Sequence, residues 1–256
     1  MHQGTTPNLQ LFVDRLTSRS VLTHAEQEAV LKLPVQAFQA RANHDFVRLN
    51  EKVDHACFIV DGLVGRFDQT SKGGRQITAL HIPGDMPDLL SVVQPTATSA
   101  LQAISTATIL QVPHSALRKV AAKHPSLAEA FWRDCMVDAM ILAQWVVNVG
   151  RRDARARIAH VLCEMAVRYR ADTSKPEVRY NLKMTQDQLA DTTGLTPVHV
   201  NRSLMALRDD GLTFRGGTVR IEDWARITDR GDFDSGYLQA DLQPSARLRI
   251  VPTAPI

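Results

Sequence analysis

The hydrophobic pattern of the 256-residue chain changes period along its length, and each period predicts a different kind of element. Leu9, Phe12, Val13 and Leu16 recur at helical spacing, which predicts a short helix from Asn8 to about Arg19. A second runs from Thr23 to about Lys32 and stops before Pro34. Between Val35 and Val112 the pattern shifts to short β-type runs at Cys57 to Val60, Leu63 to Phe67, Gln76 to His81 and Ala107 to Val112. Asp61-Gly62, Gly73-Gly74 and Pro83-Gly84-Asp85 are the turn signals between them. Short strands at this spacing predict a compact barrel or sandwich.

After Pro113 the helical period returns, with a short helix to about Lys123 and a long one from Ser126 to about Val149. The long helix is apolar around much of its circumference. One register runs Ala128, Phe131, Cys135, Asp138, Leu142, Trp145 and Val149, broken only at Asp138; a second stripe holds Trp132, Met136, Ala139, Ala143 and Val146. A helix with two apolar sides must be covered twice. The simplest cover is the β-domain on one side and an identical helix on the other, with Phe131, Cys135, Leu142, Trp145 and Val149 as the dimer seam. The alternative is the core helix of a monomer. Gly150 then reads as a hinge or as a simple helix stop, before a helix from Ala154 to about Arg170 that buries Ile158, Ala159, Val161, Leu162 and Met165. A surface loop over Ala171 to Glu177 and a short strand over Tyr180 to Met184 follow.

The stretch from Thr185 to Gly211 is the most informative. Thr185 with Gln188 forms a capping box, Leu189 and Ala190 are buried, and Gly194 supplies a residue free to take positive φ. Thr196-Pro197 then opens a second helix, so the pair reads as a helix-turn-helix. Val200, Leu204 and Leu207 fall on its inner side, and Val198, Arg202, Met205 and Asp209 on its outer side, with His199 and Asn201 on the flanks. In a DNA major groove Arg202 can present two parallel donors to guanine, and Val198 can meet a thymine methyl. Thr196, Asn201 and Ser203 suit phosphate oxygens. Two β-prone runs about Gly216-Gly217 complete a winged helix.

Composition narrows the class. The hydrophobic fraction of 44% is ample for a core, and no apolar run or basic N-terminal signal points to a membrane or secretion, so a cytoplasmic location is expected. Cys57, Cys135 and Cys163 lack the spacing of a disulfide framework, zinc ribbon or iron–sulfur cluster. His55, Cys57 and His81 match no metal-site pattern, so no metal or other cofactor is expected. Cys135 on the seam is read as a packed thiol rather than a redox switch. The net charge of +3 is small, but residues 151–230 hold 15 Lys and Arg against 11 Asp and Glu, which places the excess in the DNA-binding half. No nucleophile–base pairing or phosphate-cradling glycine loop suggests an enzyme.

Over roughly residues 30 to 225 the chain resembles the Crp/Fnr superfamily of bacterial transcription regulators. The resemblance is carried by VDGLVGRF (Val60 to Phe67), IPGD (Ile82 to Asp85), GRRDARARIAHVLCEM (Gly150 to Met165) and TQDQLADTTGLTPVHVNRSLMALRDDGL (Thr185 to Leu212). It implies an α+β fold with an N-terminal β-roll sensor domain over residues 1–125, a dimerisation helix over 126–150, a winged helix-turn-helix domain over 151–230 and a tail over 231–256. It also implies a homodimer that reads a near-palindromic site in double-stranded DNA, and contact with RNA polymerase if the protein is an activator. Family base-reading positions fall on Pro197, Val198 and Arg202, of which only the arginine keeps the family's usual chemistry.

The sensor half departs from the cyclic-AMP-binding branch. Its ribose- and phosphate-holding pairs align with Asp88-Leu89 and Thr98-Ser99, and its adenine-facing pair with Leu142-Ala143. That branch holds the phosphate with the arginine of an Arg-Ser pair, for which this chain has Thr98-Ser99; without it a buried phosphate has no charge partner, and Asp88 repels it. These six residues are the candidate effector pocket, with an effector other than cyclic AMP. The cysteine cluster of the oxygen-sensing branch is also missing. A competing reading is a β-roll signal-binding module whose C-terminal helices serve protein contacts. Phe233 and Tyr237 are the residues suited to dock the tail.

Overall fold

The computed structural model describes residues 9–239; the start of the first helix at Asn8 and the end of the tail lie outside them. The chain divides into two compact units. The first holds the described residues through Gly62 together with Pro83–Asp138, and the second holds Leu63–Ile82 and the described residues from Ala139 onward.

The first unit begins with α1 (Gln10–Thr17) and α2 (His24–Leu31), the latter opened by a capping box between Thr23 and Glu26. The strands β1 (Gln36–Ala40), β2 (His44–Val47) and β3 (His55–Asp61) follow. Next come two strands of the second unit, β4 (Val64–Gln69) and β5 (Arg75–His81), which pair as a hairpin. The first unit resumes with β6 (Ala100–Ala103), β7 (Ala107–Pro113) and α3 (His114–Lys123). In it β7 lies between β1 and β3 in an antiparallel sheet, and β2 pairs with β6. The run Ala56, Cys57, Phe58 and Ile59 in β3 is wholly buried without alternation, because both faces of the strand are covered. One cover is α1: Phe12 sits 5.8 Å from the rings of both Phe58 and Phe131, within a core that also takes in Leu16, Met86, Leu110 and Leu117.

The long helix α4 (Pro125–Arg151) supplies Phe131 to that core and then continues into the second unit. Here the predicted seam needs correction. Phe131 is stacked on Phe12, and Trp145, 4% exposed, donates from Nε1 to Glu164 at 2.8 Å, so both belong to the chain's own interior. Cys135 and Val149 are half-buried, and of the five seam residues only Leu142 is exposed. The exposed apolar stripe is the other one, Trp132, Met136, Ala139, Ala143 and Val146, roughly a quarter turn away. What turns the helix is charge: Arg15 of α1 meets Asp85, Asp134 and Asp138, and Arg19 meets Asp134 at 2.9 Å. Asp138, the break in the apolar register, is therefore an inward ion-pair partner. Burial and the neighbouring Arg15 charge lower Arg19 to about 10, whereas the three carboxylates outweigh burial and raise Arg15.

Gly150 does not stop α4, since the helix passes through it and ends at Arg151. The break falls at Asp153, whose carboxylate accepts from the amides of Arg155 and Ala156 and opens α5 (Ala154–Arg168). Helix α5 is the axis of the second unit, buried continuously from Ile158 to Ala166. Around it lie β8 (Val178–Asn181), α6 (Gln186–Thr193), α7 (Pro197–Asp209), β9 (Leu212–Arg215), β10 (Thr218–Ile221) and α8 (Trp224–Arg230). Strand β10 lies between β8 and β9. Pairing of Ile221 with Val178 places β8 two residues earlier than the sequence pattern suggests. Helix α8, capped by Asp223, was not anticipated. Among the described residues no helix is long and apolar enough to cross a membrane.

Candidate nucleic-acid interface

The helix-turn-helix forms by the local chemistry of its residues. Thr185 Oγ1 accepts from the Gln188 amide at 3.2 Å, and Gln188 Oε1 accepts from the Thr185 amide at 2.8 Å. Gly194 ends α6 at φ +64°, where a Cβ would be strained. Thr196 caps α7 and Pro197 fills its first position. Val200, Leu204 and Leu207 anchor α7 inward, and it packs against α5. Gly216 and Gly217, both at positive φ, make the two-residue turn between β9 and β10 that forms the wing.

Pro197, Val198, His199, Asn201, Arg202 and Met205 are all exposed on α7. No hydrogen bond or ion pair holds Arg202 among the described residues, so its five N–H donors face solvent. Three polar positions have work inside the protein. Thr196 Oγ1 accepts from the His199 amide at 3.3 Å, and Asn201 donates to Gln186 Oε1 of α6 at 3.4 Å. Ser203 is only 7% exposed and faces inward, which removes it from the candidate phosphate contacts, because position 203 falls on the same side as Val200 and Leu207.

Two supports hold this interface in ways the sequence pattern did not reveal. The β4–β5 hairpin reaches the end of α6: Gln76 donates to the carbonyl of Thr192 at 3.1 Å, and Arg75 pairs with Asp191 at 3.4 Å. After α8, the chain turns back over α5. Glu164, fully buried, accepts from Trp145 and from the hydroxyl of Tyr237, both at 2.8 Å, and pairs with Arg168. Phe233 and Tyr237 flank the His160 ring, and His160 Nδ1 donates to the carbonyl of Gly231. Burial and the neighbouring Arg152 lower the His160 pKa, so the ring sits in this stack uncharged at neutral pH.

Residues 156–230 match the model of the Crp-like helix-turn-helix domain, and residues 37–124 match that of the cyclic nucleotide-binding domain. The chain belongs to the Crp/Fnr superfamily of transcription regulators. Among solved structures it is similar to FixK2 from Bradyrhizobium japonicum, with a TM-score of 0.70 and 27% identity over 77% of this chain and 97% of that one. Among curated relatives it is 26% identical to the nitrogen fixation regulation protein FixK of Azorhizobium caulinodans, over 72% of this chain and 73% of that protein. It is 22% identical to the fumarate and nitrate reduction regulatory protein of Vibrio cholerae, over 85% of each chain.

In this DNA-binding transcription regulator α7 is the second helix of the helix-turn-helix. The candidate effector residues are arranged differently from the expectation. Leu89 is part of the core of the first unit, and Asp88 turns its carboxylate onto β3, accepting from the Cys57 amide at 2.7 Å. Burial pushes the Asp88 carboxyl up to about 6 despite that hydrogen bond, and burial together with Asp88 pushes the Cys57 thiol up. Asp88 Oδ1 is thus engaged by β3, and the Leu89 side chain is taken up by the core. Thr98 is exposed and Ser99 half-buried, and Leu142 and Ala143 are both exposed on α4. Among the described residues no group of three or more His, Cys, Asp or Glu side chains is placed to hold a metal ion.

Proposed function

We propose that this Crp/Fnr regulator works as a homodimer, paired through the exposed stripe of α4, that inserts two copies of α7 into a near-palindromic DNA site. The carrying observation is the row Trp132, Met136, Ala139, Ala143 and Val146, which leaves a 27-residue helix apolar toward solvent, with Val146 63% exposed. Small residues at 139 and 143 suit close approach of a second copy, and the larger ones between and beside them suit knobs-into-holes packing. Thr196, Pro197, Val198, His199, Asn201 and Arg202 form the DNA face. RNA polymerase is the further partner if the protein activates transcription. The burial of Leu89 and the hydrogen bond from the Cys57 amide to Asp88 argue against a cyclic nucleotide held at those positions, so any effector acts elsewhere by shifting the separation of the two α7 helices.

Val146→Glu places a charge on the stripe without touching the interior. Sedimentation should show a dimer for the parent chain and a monomer for the variant, and a gel-shift titration should show salt-dependent DNA binding that the variant loses. A monomeric parent chain, or a variant still dimeric, contradicts the pairing. Absence of any salt-dependent DNA shift would favour a signal module acting through protein contacts.

A further inference from the structure

We infer that α7 reads thymine methyl groups through Val198 and Met205, on either side of a guanine read by Arg202; this rests on the DNA-binding reading above. At 100° per residue, positions 198, 202 and 205 fall within an arc of about 60°, so they form one stripe rather than separate faces. The end members are apolar and open to water, Val198 at 59% and Met205 at 57% exposure, while Arg202 between them carries the donors. The polar neighbours do not compete for the same contacts. Asn201 is turned to Gln186, Thr196 caps the helix, and Ser203 is inside.

Val198 and Met205 lie seven residues apart, about 10 Å along the helix axis, or roughly three base steps. In the major groove the donors and acceptors of every base can satisfy polar side chains, but the 5-methyl of thymine is the one apolar group available to Val and Met. Neither side chain donates to a purine, Val198 cannot accept from the cytosine amino group, and the Met205 thioether accepts only weakly. A thymine at each end of the stripe buries apolar surface that the free protein leaves in water, and the other bases leave it unmatched. Asp209, also exposed, follows Met205 by one helical turn and sets an acidic limit to the stripe.

The test replaces single atoms on the DNA. A preferred site is first isolated from a random duplex pool with the full-length protein, and each thymine in it is then replaced by deoxyuridine, which removes the methyl and nothing else. Affinity should fall about threefold to fivefold at two positions in each half-site, the worth of one buried methyl, and remain unchanged at the others. Val198→Ala should erase the loss at one position and Met205→Ala at the other. Val198→Glu should move the preference at its position from thymine toward cytosine, whose amino group a carboxylate accepts. Replacing the guanine by 7-deazaguanine should weaken binding by the parent chain and leave an Arg202→Ala variant unaffected. A selected site that tolerates deoxyuridine at every thymine, or thymine–uracil discrimination that survives in both alanine variants, overturns the inference. Failure to enrich any site overturns the DNA-binding reading itself, and so separates the two.

Discussion

Helices α4 and α7 are both amphipathic, and both present exposed apolar side chains, but they differ in what fixes their rotation. In α7 one side is apolar enough to bury and the other carries Arg202, so the wheel alone decides which side faces α5. In α4 two sides are apolar, and the choice between them is made by Arg15, which lies more than a hundred residues earlier in the chain and meets Asp134 and Asp138. Periodicity sets the face of a helix only when one candidate exists. With two, a few buried charges decide, because a carboxylate beside a guanidinium in the interior is far better placed than one in an apolar seam.

That comparison can be broken most forcefully at Arg15. Arg15→Ala removes the cation that three carboxylates share and should cost about 3 to 5 kcal/mol in urea unfolding relative to the parent chain. A loss below about 1 kcal/mol would mean that these charges are screened by water and do not set the rotation of α4. At α7 the corresponding change should leave the fold alone. Arg202→Ala should weaken binding to the preferred site by about 1 to 3 kcal/mol, relax one base preference, and leave the unfolding midpoint where it was. Equal weakening on random duplexes would assign the side chain to phosphates instead.

A smaller effect sharpens the contrast between a buried charge with a cation and one without. Asp88 accepts from the Cys57 amide, and its folded pKa is about 6 against an ordinary value of 3.8. The folded state therefore binds this proton more tightly than the unfolded state, so the group contributes stability at low pH that is lost as pH rises from about 4 to about 6. Asp88→Asn keeps a side-chain acceptor but removes the titration. Denaturation midpoints followed across that window should fall less steeply in the variant, and parallel curves would show that Asp88 titrates as it would in the unfolded chain.

The parts of the fold that were legible from sequence are those built by neighbours in the chain. The capping box of Thr185 and Gln188, the left-handed Gly194, Pro197 at the start of α7 and the Gly216-Gly217 turn each act within a few residues, and each sits where the pattern puts it. What escaped depends on distant partners. Ser203 reads as a polar residue near a helix start, but the packing of α7 takes it inside. Gly150 reads as a break, but an exposed glycine with nothing within 4 Å of an added Cβ lets a well-packed helix run on. Asp88 and Leu89 align with ligand-holding positions, yet the Cys57 amide and the first unit's core claim them. The suspicion that Phe233 and Tyr237 dock the tail found its reason in His160 and Glu164, partners about 70 residues away that no local pattern names.

The central claim is that paired α4 helices hold two copies of α7 at a spacing fitted to duplex DNA. Sequencing the duplexes that the purified full-length protein enriches from a random pool tests it directly. The expected product is an inverted repeat with a guanine in each half and half-site centres about one helical turn apart. A pool that emerges unenriched, or enriched for a single unrepeated half, would contradict it.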